Sequence, residues 1–156
     1  MESIIQKATE LGVSEIAPVA CRRSVVQLGG EKAGARRERW QRVAMEAAKQ
    51  CRRPLIPMVR APENFAPAIA GVSGGSLFLL PWESEHTCSL KEVLAGDAPG
   101  EIFILIGPEG GFEPEEVLQA VRQGAVAVSL GPRILRTETA GPACLAAVMY
   151  RWGDLG

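Results

Sequence analysis

Three apolar stretches in the second half of the chain, Ser76–Trp82, Glu101–Ile106 and Ala125–Leu130, constrain the fold most. Each is too short for a helix of ordinary length and reads as a buried strand. Each also breaks abruptly: at Pro81, at Gly107-Pro108-Glu109-Gly110-Gly111, and at Gly131-Pro132. Amphipathic segments fill the gaps between them. Strands alternating with helices predict an α/β fold, a mainly parallel sheet with helices on both faces. In such open sheets ligands bind in the crevice outside the carboxyl ends of the strands. The two later breaks, rich in Gly, Pro and charge, therefore read as one ligand cleft.

The remaining elements follow from local signals. Helices are predicted at Ser3–Leu11, with Ser3 as N-cap and Gly12 as stop, and at 36–51 and 63–70. Others follow at Ser89–Leu94, Pro114–Gln123 and Thr139–Trp152, the last capped by Thr139. Trp40, Val43, Ala44, Ala47 and Cys51 share one face of the second helix at helical spacing. Pro114 suits a first turn, and Glu115 and Glu116 lie where the helix dipole favours acids. Further strands are expected at Glu15–Ala20, Ser24–Leu28, ended by Gly29-Gly30, and Leu55–Val59. At 156 residues the chain suits one domain, spanning 1–156.

Composition removes several classes. No apolar run approaches the roughly 20 residues of a membrane span, and no signal peptide opens the chain, so a cytoplasmic protein without membrane partners is expected. Cys21, Cys51, Cys88 and Cys144 are scattered, with His86 as the single histidine, which argues against a metal site and suits a reducing compartment. His86 is expected on an exposed loop. Charge is unevenly spread: residues 1–60 carry 12 Lys/Arg against 6 Asp/Glu, and residues 61–156 carry 5 against 12. A basic half can hold an RNA backbone, although a solvated helix face is the commoner meaning of such a run.

Gly107–Gly111 lacks the Lys-Ser or Lys-Thr of a phosphate-binding P-loop and the spacing of a dinucleotide fold. Its glycines permit close approach of backbone to ligand. In the second loop Arg133, Arg136 and Glu138 crowd the turn before the last helix. Charge at a strand's carboxyl end is costly unless exposed or paired, so either a polar-lined site or an Arg136–Glu138 surface pair is expected.

Ile104–Phe112 and Leu130–Ala140 together resemble the signature of the RsmE family, SPOUT-class methyltransferases acting on uridine N3 of 16S ribosomal RNA in the small subunit. Gln6–Val13, Ile16 and Pro18, then Arg23-Ser24-Val25, are similar to that family's opening elements. Trp40, Glu46, Ala47, Gln50, Arg53 and Pro57 match a further stretch, with Arg52 where the pattern has a small residue. The resemblance implies a C-terminal trefoil knot, a homodimer and the cofactor S-adenosylmethionine (SAM). It also implies that the chain is the methyltransferase domain without the N-terminal PUA-like barrel of family members. Carried over position by position, the cofactor loops fall at Leu80, Pro81, Gly107, Pro108, Glu109, Gly110, Leu130, Gly131, Ile134 and Leu135. Arg136 is expected to stabilise negative charge, and Glu138 or Glu109 to accept a proton or orient it. Arg22, Arg23, Gln50 and Arg53 are candidates for RNA contacts. Two other classes stay open, a nucleotide hydrolase and a non-catalytic RNA-binding domain.

Overall fold

A computed structural model describes residues 1–24 and 33–156. Beyond Ser24, the expected extended piece at Ser24–Leu28, its Gly29-Gly30 break and the Val25 of the family motif lie outside the described residues.

The element order is α1 (Glu2–Glu10), β1 (Glu15–Ile16), β2 (Val19–Ala20), α2 (Ala33–Gln50), β3 (Met58–Val59), β4 (Glu63–Asn64), α3 (Phe65–Ala70), β5 (Leu77–Pro81), α4 (Leu90–Val93), β6 (Ile102–Ile104), α5 (Pro114–Arg122), β7 (Val126–Val128) and α6 (Thr137–Trp152). Every strand pair among the described residues is parallel. The central sheet runs β6-β5-β7, and two-stranded pieces join β1 to β3 and β2 to β4.

Alternation along β5 shows why helices lie on both faces. Phe78 and Leu80 enter one core with Phe65 and Ile69 of α3 and Val117 and Ala120 of α5. Leu79 enters the other with Leu90 of α4 and Cys144 and Val148 of α6. A third cluster joins Ile5 of α1, Trp40 and Ala44 of α2 and Val59. The expected α2 face is the buried one, with Val43 and Cys51 at its half-buried margin.

Several boundaries differ from expectation for identifiable reasons. Glu15–Ala20 is two strands, because Pro18 has no N–H to donate and breaks the ladder. Its carbonyl accepts from the Glu63 N–H, and the chain passes from β3 to β4 as pairing partner. The expected helix at 63–70 opens with β4, and Leu55 and Ile56 stay exposed outside β3. Ser3 lies inside α1, whose N-cap is Met1. Thr139 is no cap either: α6 begins at Thr137, with Arg136 at the N-cap position. Pro114 does open α5, behind a Glu113–Glu116 capping box, and Ser89 and Glu92 form another on α4.

Candidate functional site

The chain leaves β5, β6 and β7 on the same side of the sheet, because all three run parallel. Their exits form a cleft of about 320 Å³, within the range of roughly 300–1,000 Å³ for small-molecule sites. Pro81, Ile106, Leu130, Ile134 and Leu135 give it apolar surface, and Gly107, Pro108 and Gly131 bring main chain to its edge. A hydroxyl ties two of the loops together: Thr137 Oγ1 donates to the Gly107 carbonyl at 2.8 Å.

Gly131 adopts φ +108°, a conformation that side chains disfavour. A Cβ there would meet no protein atom within 4 Å, so main chain borders open cleft space. Its N–H donates to Ser129 Oγ at 3.2 Å. The N–H groups of Arg133, Ile134 and Leu135 make no hydrogen bond to the described residues. Unspent donors beside apolar walls suit a ligand read through main-chain contacts.

The expected residues divide unevenly. Pro81, Gly107, Pro108, Leu130, Gly131, Ile134 and Leu135 share the cleft. Leu80 does not line it: its side chain is fully buried in the sheet core. Glu109 and Gly110 are exposed and are not among the lining residues, and Arg136 and Glu138 are exposed at the start of α6, beside the lining residues Leu135 and Thr137. Among the described residues no ion pair joins Arg136 to Glu138.

Of the expected RNA contacts, Arg22 is exposed with a loose 3.9 Å ion pair to Glu115. Gln50, also exposed, lies in a separate groove between α1 and α2 with Arg39 and Arg42. Arg53 is half-buried and spends its guanidinium on the end of α1, donating to the carbonyls of Thr9 (2.8 Å), Val13 (2.9 Å) and Gly12 (3.2 Å). Arg23 donates from Nε to Glu113 at 2.7 Å and from Nη1 to the Gly110 carbonyl at 3.1 Å.

Sequence reading missed the loop after β5, whose Trp82, Glu83 and His86 also line the cleft. His86 is exposed, as expected. Glu85 organises that loop by accepting from the Thr87 N–H and hydroxyl, both at 2.6 Å, and from the Cys88 N–H at 3.0 Å. Those donors, the Thr87 hydroxyl foremost, hold its pKa down to about 2. The one available signal was Glu-x-Thr, an acid able to fold back on its own turn. Burial pushes the thiols of Cys21 and Cys144 up to about 12, which leaves them protonated and poorly nucleophilic at neutral pH. No group of metal-ligating side chains occurs among the described residues, nor any helix long and apolar enough to cross a membrane.

The sequence model of the RNA methyltransferase domain family matches residues 1–149. The chain belongs to this family. It is 36% identical to ribosomal RNA small subunit methyltransferase E of Bacillus subtilis, covering 97% of this chain and 61% of that protein. The corresponding Synechocystis enzyme is also 36% identical, over 94% of this chain and 48% of its own length. Among solved structures, methyltransferase E of Neisseria gonorrhoeae bound to SAM superposes with a TM-score of 0.90 at 36% identity, over 100% of this chain and 62% of that one. A Legionella pneumophila protein solved with bound SAM gives 0.83 at 32% identity, over 99% and 62%. The chain thus spans about 60% of the length of most of these relatives.

Proposed function

We propose that the chain is a SAM-dependent methyltransferase unit that modifies N3 of a uridine in 16S ribosomal RNA. The observation that carries this reading is the convergence of three strand-end loops on one apolar cleft with unspent main-chain donors, in a fold that two SAM-bound structures share. SAM fits the residues present. Gly131 admits close approach, the N–H groups at 133–135 can read polar edges of the adenosine, and Pro81, Leu130 and Leu135 can hold its faces.

When bound, SAM supplies an electrophilic methyl group. The protein must hold the acceptor in line with it, and orientation alone contributes roughly 7–11 kcal/mol in favourable cases. Uridine N3 becomes nucleophilic on losing its proton, leaving charge shared with the flanking carbonyl oxygens. Arg136, exposed beside the lining residues Leu135 and Thr137 and with no side-chain partner among the described residues, is the group assigned to that charge, since a guanidinium stays ionised and spans two oxygens. Glu138 or Glu109 takes the proton or orients Arg136.

Residues 1–156 form one methyltransferase domain, with the path after Leu130 threaded as a trefoil knot, a topology nearly absent elsewhere. The working unit is a homodimer in the cytoplasm: Ile134 (84% exposed) and Tyr150 (75%) offer apolar surface for a second copy. The test is to incubate the protein with SAM and small ribosomal subunits and analyse digested RNA by mass spectrometry. One 3-methyluridine per 16S molecule is the expected product; unmodified RNA with SAM bound would refute the substrate assignment.

A further inference from the structure

Arg23 sits on a closed turn that packs against Gly110 of the loop after β6. The Ser24 N–H donates to the Cys21 carbonyl at 3.0 Å, and the Cys21 N–H donates to Ser24 Oγ at 3.0 Å. Glu116, only 4% exposed, fastens that turn to the start of α5. Its carboxylate accepts from the N–H of Arg22 at 2.9 Å and of Glu113 at 2.9 Å. The fastening leaves the Arg23 side chain between Glu113 and the Gly110 carbonyl. Contact there is tight, because a Cβ on Gly110 would lie 3.0 Å from Arg23 Cβ and 3.3 Å from its carbonyl oxygen. Gly110 belongs to the loop whose Gly107, Pro108 and Gly111 line the cleft.

We propose that Arg23 is a positioning residue: braced by Glu113, its guanidinium holds the Gly110 carbonyl and sets the shape of the Gly107–Gly111 loop. The inference rests on the reading of the cleft as a SAM site. It differs from the expectation that Arg23 contacts RNA phosphate, because two of its donors are spent within the protein. A basic segment ahead of α2 thereby shapes the cofactor cleft from 87 residues away in sequence.

Calorimetry with SAM on the chain and on Arg23→Ala tests this, with thermal melting to verify folding. The variant should bind SAM about three- to tenfold more weakly, the range for losing one or two exposed hydrogen bonds. Arg23→Lys should recover part of the loss, and Glu113→Gln should add little on top of Arg23→Ala. The salt dependence of binding to a 20-nucleotide oligo(U) separates the two uses of the guanidinium. Its logarithmic slope should be unchanged in Arg23→Ala, whereas a phosphate contact would lower it by about 0.7. Unchanged SAM affinity in a folded Arg23→Ala variant overturns the positioning role while leaving the cofactor reading intact. A parent chain that does not bind SAM overturns both.

Discussion

Most arginines in the first 60 residues and the arginines at the cleft are employed in opposite ways. In the first group, Arg23, Arg37, Arg39, Arg53 and Arg60 have partners: carbonyls for Arg37 and Arg53, carboxylates for Arg39 and Arg60, and both for Arg23. Arg42 and Arg52 are the exceptions, exposed and with no side-chain partner among the described residues. At the cleft, Arg133 is a lining residue and Arg136 lies between the lining residues Leu135 and Thr137; both are exposed, and their guanidinium groups make no hydrogen bond or ion pair among the described residues. A guanidinium whose donors are spent on the fold cannot respond to charge that develops elsewhere, whereas an unspent one can. The excess positive charge of residues 1–60 is thus partly a structural resource. Charge counts alone do not separate these two uses.

Substitutions at the cleft and in the first 60 residues separate the two uses. The largest effect is expected at the cleft, where Gly131→Leu forces a side chain onto a φ of +108° and fills space at the main chain. SAM binding by calorimetry should fall below detection while unfolding stays cooperative; unchanged affinity would remove Gly131 from the site. Next comes Arg53→Ala, which strips three carbonyls at the end of α1 of a charged donor. It should cost about 2–3 kcal/mol by denaturant unfolding with little change in SAM affinity at temperatures where the variant is folded. A variant that keeps its stability and loses only RNA affinity would return Arg53 to the RNA-binding set.

Arg52 adopts φ 60°, the left-handed region, at the position where the family pattern has a small residue. Arg52→Gly should therefore raise stability by roughly 0.5–1 kcal/mol, relief of strain offset by a freer unfolded chain. The smallest effect concerns Glu85, whose pKa is lowered from 4.5 to about 2 in the folded state. A depressed carboxylate stabilises above its unfolded pKa and loses that contribution as pH falls through the folded one. The melting-temperature advantage of the parent over Glu85→Ala should hold near neutral pH and shrink between about pH 4.5 and 2. An advantage independent of pH would mean that Glu85 acts by packing alone.

Much of this architecture was legible because short apolar runs ended by Gly or Pro admit few readings. β5, β6 and β7 are of this kind, and so is the crevice their exits create. Two-residue strands such as β4 carry no periodic signal, so Glu63–Asn64 read as the start of a helix. Thr139 was a reasonable cap by residue type, but Thr137, two residues earlier, sends its hydroxyl across to Gly107 and the helix starts there. That bond depends on tertiary approach, which local sequence does not encode. The same holds for Glu83 and His86, which reach the cleft only because the loop after β5 folds around Glu85.

The role proposed for unspent charge beside the cleft is read out by single-turnover methyl transfer. The chain and Arg136→Ala, each saturated with SAM and in excess over small ribosomal subunits, would be mixed with them and incorporation of labelled methyl followed in time. SAM affinity should stay close to the parent's and the rate should fall roughly 10²–10³-fold, the usual consequence of removing one preorganised charge donor. Equal rates for Arg136→Ala and its parent would contradict this assignment and pass the role to Arg133.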